Sequence, residues 1–473
     1  MPDYRVIVIG AGPGGTILAR ELAGQGVTVD LYEKGSYEEL GHDWSDAVEL
    51  VALAAAGLQM PILEDGQWVG ELVKEQVGAP GIFEKHAVPR LLLSAPGLIS
   101  SKEVDFKMIT TDRRRLAQLL IDQALEAGAR VHYGYEGRSL LFREKEGYGP
   151  DGVEVFGVRV ANLETGEEED LQADLTVESS GFNAVLRTGL PAETGLAAKF
   201  KPAVFALVHR EVRRYEPGED LADAVTDYYR YGFHTGYQWS HIHNEQSIDV
   251  GAGVKNEPDK PDPKELIEEF ISRHPAIRDE KIRGGRSLCI VGSPLTNFLT
   301  NGFLVLGDAA STSVPTTGCG AGSAILAALW AAGVISAASA EGRNDLQRLW
   351  PVNVKFFLTD QRGASFAALS SLRTMLQKLT HEELDFLFLN DLLDADTLQD
   401  AVNGRFKPPG LQKKIRSLTE GFKNFNLLLK LNKAVSAATA LYHHYLTYPA
   451  EWNPARYRQW LEKAEELQRQ AES

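Results

Sequence analysis

The stretch from residue 4 to residue 33 constrains the fold of this chain more than any other. A β-branched run at residues 6–9 leads directly into the glycine cluster GAGPGG at residues 10–15. An apolar stretch with helical spacing follows at 16–22, and a second β-branched run at 27–32 ends on Glu33. A strand, a tight turn, a helix and a second strand in this order predict the βαβ unit that binds dinucleotides.

The glycines and the terminal acid of this unit have separate predicted roles. Gly10 permits the tight turn, Gly12 lets backbone N–H groups approach a pyrophosphate, and Gly15 lets the helix pack close to the strand. Glu33 can accept hydrogen bonds from a ribose diol and repels a 2′-phosphate, which favours FAD or NAD over NADP. The alternative is a glycine-rich turn in an ordinary α/β domain, but a strand, helix and acid in register favour the dinucleotide site. The candidate cofactor residues of the unit are Gly10, Gly12, Pro13, Gly14, Gly15, Glu33 and Lys34.

A second motif far along the chain predicts another part of the same site. A hydrophobic strand at 303–306 ends in Gly307-Asp308, which puts a carboxylate at its C-terminal edge, suited to hydrogen bonds from a ribityl chain. The sequence PTTGCG at 315–320 then precedes an apolar helix at 321–340, whose N-terminus can stabilise negative charge on a reduced flavin. The alternative is a plain loop before a buried helix. The candidate cofactor residues here are Gly307, Asp308, Pro315, Gly318 and Gly320.

The loop after the second strand carries the candidate proton donors. It reads GHDWSD at 41–46 and precedes an alanine-rich stretch at 47–56, which predicts a helix that Ser45 or Asp46 can cap. His42 and Asp43 are the catalytic candidates, because both follow the second strand, where the chain should approach the cofactor. The alternative is that both are polar capping and loop residues.

Alternating apolar residues predict a second, antiparallel sheet at 70–108 and again at 203–253. With a period of two residues, Tyr237, Trp239 and His241 share one face, and these are the substrate-binding candidates. The alternative is that this aromatic face belongs to the core. His241 and His243 could together bind a metal, but no third ligand has supporting spacing, so no metal site is expected.

Composition excludes several classes of protein. A net charge of −16 argues against a general nucleic-acid binder. The chain has only Cys289 and Cys319, too few for a disulfide framework, a zinc site or an iron–sulfur cluster, and it fits a reducing cytoplasm. The first strand begins too early for a signal peptide, and the uncharged stretch 321–340 is better explained as a buried helix than as a membrane span. We therefore expect a cytoplasmic protein, with its oligomeric state open.

These motifs, taken in order, resemble the FAD-binding signature of the flavoprotein superfamily that includes para-hydroxybenzoate hydroxylase. The resemblance rests on the two glycine motifs above, on Arg113 at the start of a predicted helix, and on Gly181 with Arg187. Within the superfamily, GYQW at 236–239 and VGAG at 250–253 are similar to the geranylgeranyl reductase branch. The chain departs from that branch in three places.

The first departure is His42-Asp43, where the branch often has Cys-Gly. The second is Ile242-His243, where it usually has proline. The third is Ser180, which replaces the usual acid in a form closer to halogenase relatives. Arg113 joins the cofactor candidates through this resemblance.

The resemblance implies an α/β fold, in which a Rossmann-type FAD-binding domain is interleaved with an antiparallel β-sheet substrate domain and followed by a helical region. The expected boundaries are 1–69, 103–190 and 285–345 for FAD, 70–102 and 191–284 for substrate, and 346–473 for the helices. It also implies an oxidoreductase with non-covalent FAD that reduces carbon–carbon double bonds of a prenyl or other lipid-like apolar substrate. Two alternatives stay open: an FAD-dependent monooxygenase, hydroxylase or halogenase-like, and a cofactor-free prenyl-binding escort protein.

Two further expectations concern partners. The sequence carries no second dinucleotide fingerprint, so the reductant is either NAD(P)H bound transiently or a protein electron donor. The stretch 405–446 is rich in lysine and arginine, with Glu420 as its only acid, and also carries apolar residues. It is a candidate surface for peripheral membrane contact, and the alternative is a packed helix with its lysines in water.

Overall fold

A computed structural model describes residues 4–75, 80–85, 90–144, 149–216, 228–232, 235–244, 246–408 and 424–472. The α-helices are α1 Pro13–Gly24, α2 Leu50–Ala55, α3 Arg113–Glu126, α4 Pro263–Ser272, α5 Ala321–Ala340, α6 Leu346–Leu349, α7 Pro351–Val354, α8 Arg362–Leu376, α9 His381–Leu389, α10 Ala395–Val402, α11 Phe425–Tyr445 and α12 Pro454–Glu472. The first strands are β1 Arg5–Ile9, β2 Thr28–Glu33, β3 Ser45–Glu49, β4 Ile62–Glu64, β5 Gln67–Val69, β6 Val73–Lys74, β7 Phe83–Glu84, β8 Arg90–Ser94, β9 Ser101–Asp105, β10 Met108–Asp112 and β11 Arg130–Tyr133. The remaining strands are β12 Tyr135–Glu144, β13 Val153–Asn162, β14 Glu168–Gln172, β15 Leu175–Glu178, β16 Phe205–Tyr215, β17 Tyr228–Tyr231, β18 Tyr237–Asn244, β19 Ser247–Lys255, β20 Ile277–Ile290, β21 Leu299–Thr300 and β22 Phe303–Val305.

A six-stranded sheet in the order β11-β2-β1-β15-β22-β21 forms the nucleotide-binding half. Its neighbouring strands are parallel except for β21 and β22. Strand β1 is buried along most of its length, as expected for a strand of a parallel sheet covered on both faces. Because β1 lies between β2 and β15, the strand order reverses there, and the crevice at the carboxyl ends of such strands is where nucleotides bind.

A seven-stranded sheet in the order β20-β16-β19-β18-β17-β8-β9 lies apart from the first. Its neighbours are antiparallel except for β17 and β8. Strands β8 and β9 therefore join the antiparallel sheet, whereas β6 and β7 pair in parallel within a four-stranded sheet of order β3-β10-β7-β6. The α/β class with an interleaved antiparallel sheet and C-terminal helices is confirmed.

The helix expected over 47–56 begins only at Leu50, so the expectation was wrong for residues 47–49. Those residues belong to β3, where Val48 is paired with Ile109 of β10. Sheet pairing with a distant strand has overridden the helix propensity of the alanine-rich stretch. The N-cap of α2 is Glu49, which makes no side-chain hydrogen bond there, so the expectation that Ser45 or Asp46 caps this helix was also wrong.

The C-terminal helices pack against the nucleotide-binding half through aromatic side chains. The Tyr457 hydroxyl of α12 lies 3.2 Å from Thr296 Oγ1, just before β21, and the Phe298 ring lies 5.0 Å from that of Phe356, measured between centroids. Helix α5 is apolar on all sides and long enough to cross a membrane, but 67% of its most apolar window is buried inside the protein. Of the tail stretch 405–446, residues 409–423 lie outside the described residues.

Candidate functional site

One cavity of about 460 Å³ runs from the N-terminus of α1 to the antiparallel sheet. It collects residues that lie far apart in the sequence. Its walls include these predicted site residues: Gly10, Gly12, Pro13, Gly14, Glu33, Lys34, His42, Arg113, Tyr237, Trp239, His241, Gly307, Asp308, Gly318 and Gly320. Gly15, Asp43 and Pro315 are not among the lining residues.

The glycines at the start of α1 differ in what surrounds them. Gly10 has a φ of +102°, and a Cβ there would collide with the carbonyl oxygen of Ser179. A Cβ at Gly15 would collide with the carbonyl oxygen of Gly10, so Gly15 serves the close packing of helix and strand rather than the cavity wall. A Cβ at Gly12 would have no atom nearer than 3.8 Å, because this residue faces open cavity.

The cavity end beside α1 offers groups that suit a dinucleotide. Gly12 caps α1 without a side-chain hydrogen bond, so no side chain at that cap competes with a ligand for the first backbone N–H groups. The Glu33 carboxylate is fixed at the wall by the N–H of Ala11, at 2.7 Å, and the N–H of Gly35, at 2.9 Å. Lys34 is exposed beside it.

The second motif lies on the other side of the same cavity. The Asp308 carboxylate accepts a hydrogen bond from Ser313 Oγ at 2.7 Å, and burial raises its pKa. A Cβ at Gly320 would come within 2.5 Å of Ser313 Oγ and 2.7 Å of Asp308 Oδ1, so a larger residue there would displace this hydrogen-bonded pair. Pro315 instead lines a smaller adjoining cavity of about 60 Å³, which shares Tyr237 and Gly318 with the main one.

Of the two proton-donor candidates, His42 lines the cavity. Its ring stacks on Trp44 with 4.2 Å between centroids. The ring is solvent-accessible yet closely surrounded by protein; burial, followed by the positive charges of Arg113 and Arg210, lowers its pKa. Asp43 lies outside the lining and its carboxylate is half exposed, 3.5 Å from Arg114.

A cluster of ionic side chains forms the polar part of the wall, and the sequence did not reveal it. Arg210 Nη1 lies 2.5 Å from Asp46 Oδ1, and its Nη2 pairs with the buried Asp249. Asp46 also lies 3.5 Å from Arg113 Nη1. The available signal was a charged residue at a buried strand position, as in Asp249 between Ile248 and Val250.

The three substrate candidates of β18 all face the cavity, as their spacing predicts. The Tyr237 hydroxyl donates to the carbonyl oxygen of Thr317 at 2.6 Å, and its ring centroid lies 5.4 Å from that of Trp239. His241 Nε2 lies 3.3 Å from Thr110 Oγ1. Other apolar parts of the wall are formed by Leu91, Leu93, Phe106, Val208, Leu288 and Val402.

The imidazole of His243 is fully buried behind this wall. Its ring centroid lies 5.4 Å from that of His241, and its Nε2 lies 3.6 Å from Asp249 Oδ2. Burial lowers its pKa well below 6.5, and the neighbouring His241, Arg283 and Arg210 lower it further. Among the described residues, no group of three or more His, Cys, Asp or Glu side chains could hold a metal ion.

The residues present fit FAD. The uncapped N-terminus of α1 and the open space over Gly12 suit a pyrophosphate, and Glu33 suits a ribose. Asp308 and the N-terminus of α5, which also lacks a side-chain cap, suit the ribityl chain and the flavin end. Both sets of groups border one continuous cavity.

Comparison with known proteins agrees with this assignment. A digeranylgeranylglycerophospholipid reductase from Sulfolobus acidocaldarius is 23% identical over 455 residues, which cover 94% of this chain and 93% of that protein. The enzyme of the same name from Methanothrix thermoacetophila is 27% identical over 397 residues, covering 81% and 90%.

Solved structures show the same fold. A geranylgeranyl bacteriochlorophyll reductase-like protein from Thermoplasma acidophilum superposes with a TM-score of 0.66 at 18% identity, covering 91% of this chain and 98% of its own. A myxobacterial chondrochloren halogenase, which is FAD-dependent, superposes with a TM-score of 0.56 at 17% identity, covering 88% and 96%. The family model described as FAD binding domain matches residues 3–346. With most of its length covered by that match, this chain belongs to the family of proteins built on an FAD binding domain.

Proposed function

We propose that this protein reduces carbon–carbon double bonds of a prenyl or similarly apolar lipid chain. Bound non-covalently, FAD would supply the hydride for such a reduction. Support comes from relatives named digeranylgeranylglycerophospholipid reductase, one of which aligns over 94% of this chain. Further support comes from the apolar walls of the cavity.

The observation that carries the proposal is the pairing of Tyr237 with Trp239 in the same cavity as the cofactor-binding groups. Their rings, with Val208 and Leu93, offer a surface that excludes water. An uncharged chain would be held there by burial, at about 25 cal/mol per Å² of apolar surface removed from water. No hydrogen bond to the chain is required, because an alkene has no group to pair.

A monooxygenase acting on an aromatic acid is the second candidate, and Arg210 is the observation in its favour. Its guanidinium lies 5.4 Å from the Trp239 ring and could in principle bind a carboxylate. However, Asp46 and Asp249 already pair with it, so its charge is neutralised within the protein. A substrate carboxylate would have to displace one of them, whereas a neutral chain leaves the cluster intact.

The deciding experiment is anaerobic. The flavin is reduced chemically, polyprenyl lipids are added, and reoxidation is followed by absorbance. We expect reoxidation with a product heavier by two hydrogens per double bond reduced. Oxygen uptake stimulated by aromatic compounds, with no reaction on a broad lipid panel, would instead establish the monooxygenase. A purified protein that is colourless and binds no added FAD would favour the cofactor-free escort protein.

Two kinds of electron donor could reduce the bound flavin, and an experiment can distinguish them. Either NAD(P)H binds transiently beside the flavin, or a protein donor delivers electrons. Stopped-flow reduction of the bound flavin by NADH or NADPH separates them, because only the first class predicts rapid bleaching by the nucleotide alone.

Peripheral membrane contact through residues 405–446 is also part of the proposal. Within the described part of this stretch, Phe425 and Leu429 are exposed on α11, at 63% and 52%. Exposed apolar side chains among lysines are typical of interfacial helices. We expect flotation with anionic liposomes at low salt and loss of flotation at high salt; a protein that stays at the bottom of the gradient at low salt contradicts the contact.

A further inference from the structure

The indole of Trp239 lies against the backbone of the neighbouring strand, at a position where only glycine fits. Trp239 of β18 is the cross-strand partner of Gly251 of β19. A Cβ at Gly251 would collide with the six-membered part of the indole, at Cζ2, Cε2 and Cη2. The ring therefore occupies the space that any other residue at 251 would take.

Two charged side chains fix the ring from its other sides. The indole Nε1–H donates to Asp249 Oδ1 at 3.3 Å. The Arg210 guanidinium lies 5.4 Å from the ring centroid, within the range of a cation–π interaction, and pairs with Asp249. Asp249 is 1% exposed, so its ion pair and hydrogen bond operate away from solvent and are not loosened by water.

The same ring forms part of the cavity wall, beside Tyr237. The residues that fix the distance between the Trp239 indole and the backbone of β19 therefore fix the width of the cavity beside Trp239. Because side chains in a packed wall shift rather than compress, an added methyl at 251 would raise the indole into the cavity.

We propose that Gly251, Asp249 and Arg210 are positioning residues that hold Trp239 flat on β19 and make the cavity wide enough for a methyl-branched chain. The inference rests on the proposed function for its class of ligand. It adds that acceptance of branched over unbranched chains is determined at residue 251, which does not line the cavity.

Gly253 provides a matched control on the same strand. A Cβ there would lie 3.5 Å from Val208 Cγ2, which is ordinary van der Waals contact. Gly251→Ala and Gly253→Ala thus make the same chemical change on one strand, and only the first meets the indole.

The test measures ligand binding without turnover. FAD-loaded protein is titrated in air, without reductant, with geranylgeraniol and with an unbranched alcohol of equal chain length, and the shift of the flavin spectrum gives each Kd. We expect Gly251→Ala to weaken the branched ligand about tenfold relative to the unbranched one, since a misplaced methylene in an apolar pocket costs that much or more. Gly253→Ala should leave the ratio within about twofold of the parent.

A Trp239→Phe background keeps the test decisive if Gly251→Ala alone folds poorly. Phenylalanine lacks the fused ring whose atoms collide, so Gly251→Ala should have no further effect on folding or on the ratio there. The positioning role is overturned if Gly251→Ala leaves the ratio of the two Kd values unchanged. It is also overturned if Gly251→Ala weakens the branched ligand equally in the Trp239→Phe background. Either outcome leaves the reductase proposal intact. Failure of both alcohols to bind the parent protein overturns the lipid substrate class and this inference with it.

Discussion

Gly12→Val should give a protein that folds normally and purifies without FAD. A Cβ added at Gly12 has no atom nearer than 3.8 Å, so the ligand-free protein has room for the start of a side chain there. The same space is where a pyrophosphate would approach the backbone N–H groups at the start of α1. The side chain and the cofactor therefore compete for one volume, and we expect FAD affinity to fall by more than about 100-fold, the cost of losing close backbone contacts to an anion.

The measurement is the flavin-to-protein ratio after purification, with a FAD titration and a thermal unfolding curve. Gly24→Val is the matched control, because Gly24 ends the same helix, is exposed, and has nothing within 4 Å of its added Cβ. It should retain flavin and lose only a little stability. A full complement of flavin in Gly12→Val would show that this loop does not hold the pyrophosphate.

The contrast with Gly10 and Gly15 explains why Gly12 is the position to change. A Cβ at either of those glycines collides with backbone carbonyl oxygen atoms, so loss of FAD there would be confounded by damage to the fold. A substitution at Gly12 separates the loss of FAD binding from damage to the fold.

The sequence predicted the nucleotide-binding half well because its signals are local. The strand, glycine turn and helix of residues 5–24 are contiguous, and each residue type is explained by its neighbours within one turn or strand. Helix α5 was predicted with its observed bounds, because an apolar segment preceded by a glycine loop allows few other structures. The shared face of Tyr237, Trp239 and His241 followed from the strand period alone.

What the sequence could not predict depends on contacts between distant strands. The Arg210, Asp46 and Asp249 cluster joins residues of β16, β3 and β19, and no spacing in the chain relates them. Residues 47–49 became a strand because β10 was available to pair with them. Arg210 reaches the Trp239 ring from a strand two places away in the sheet, and the spacing of residues within β18 could not predict that contact.

His42→Ala should lower the rate at which lipid substrate reoxidises the reduced enzyme by about 10²- to 10⁴-fold, the usual contribution of a positioned proton donor. Hydride addition to one alkene carbon leaves the other carbon in need of a proton. His42 lines the cavity and is accessible from it, whereas Asp43 points away and pairs with Arg114. Asp43→Asn is therefore the matched control in the adjacent position and should leave the rate within about twofold.

The pH dependence of that rate provides the sharper test. Burial, with Arg113 and Arg210, lowers the pKa of His42 below its usual value of 6.5. If its protonated form is the acid, the rate is highest below that lowered pKa and falls as pH rises through it, and this dependence disappears in His42→Ala. The contribution of His42 to the free energy of unfolding changes in the opposite direction and falls on acidification. The reason is that below pH 6.5 the unfolded chain binds a proton at His42, whereas the folded protein binds it only at lower pH. A rate that increases on acidification while the protein becomes less stable therefore cannot result from better folding, and a pH profile identical in both proteins would assign the proton to water or to another residue.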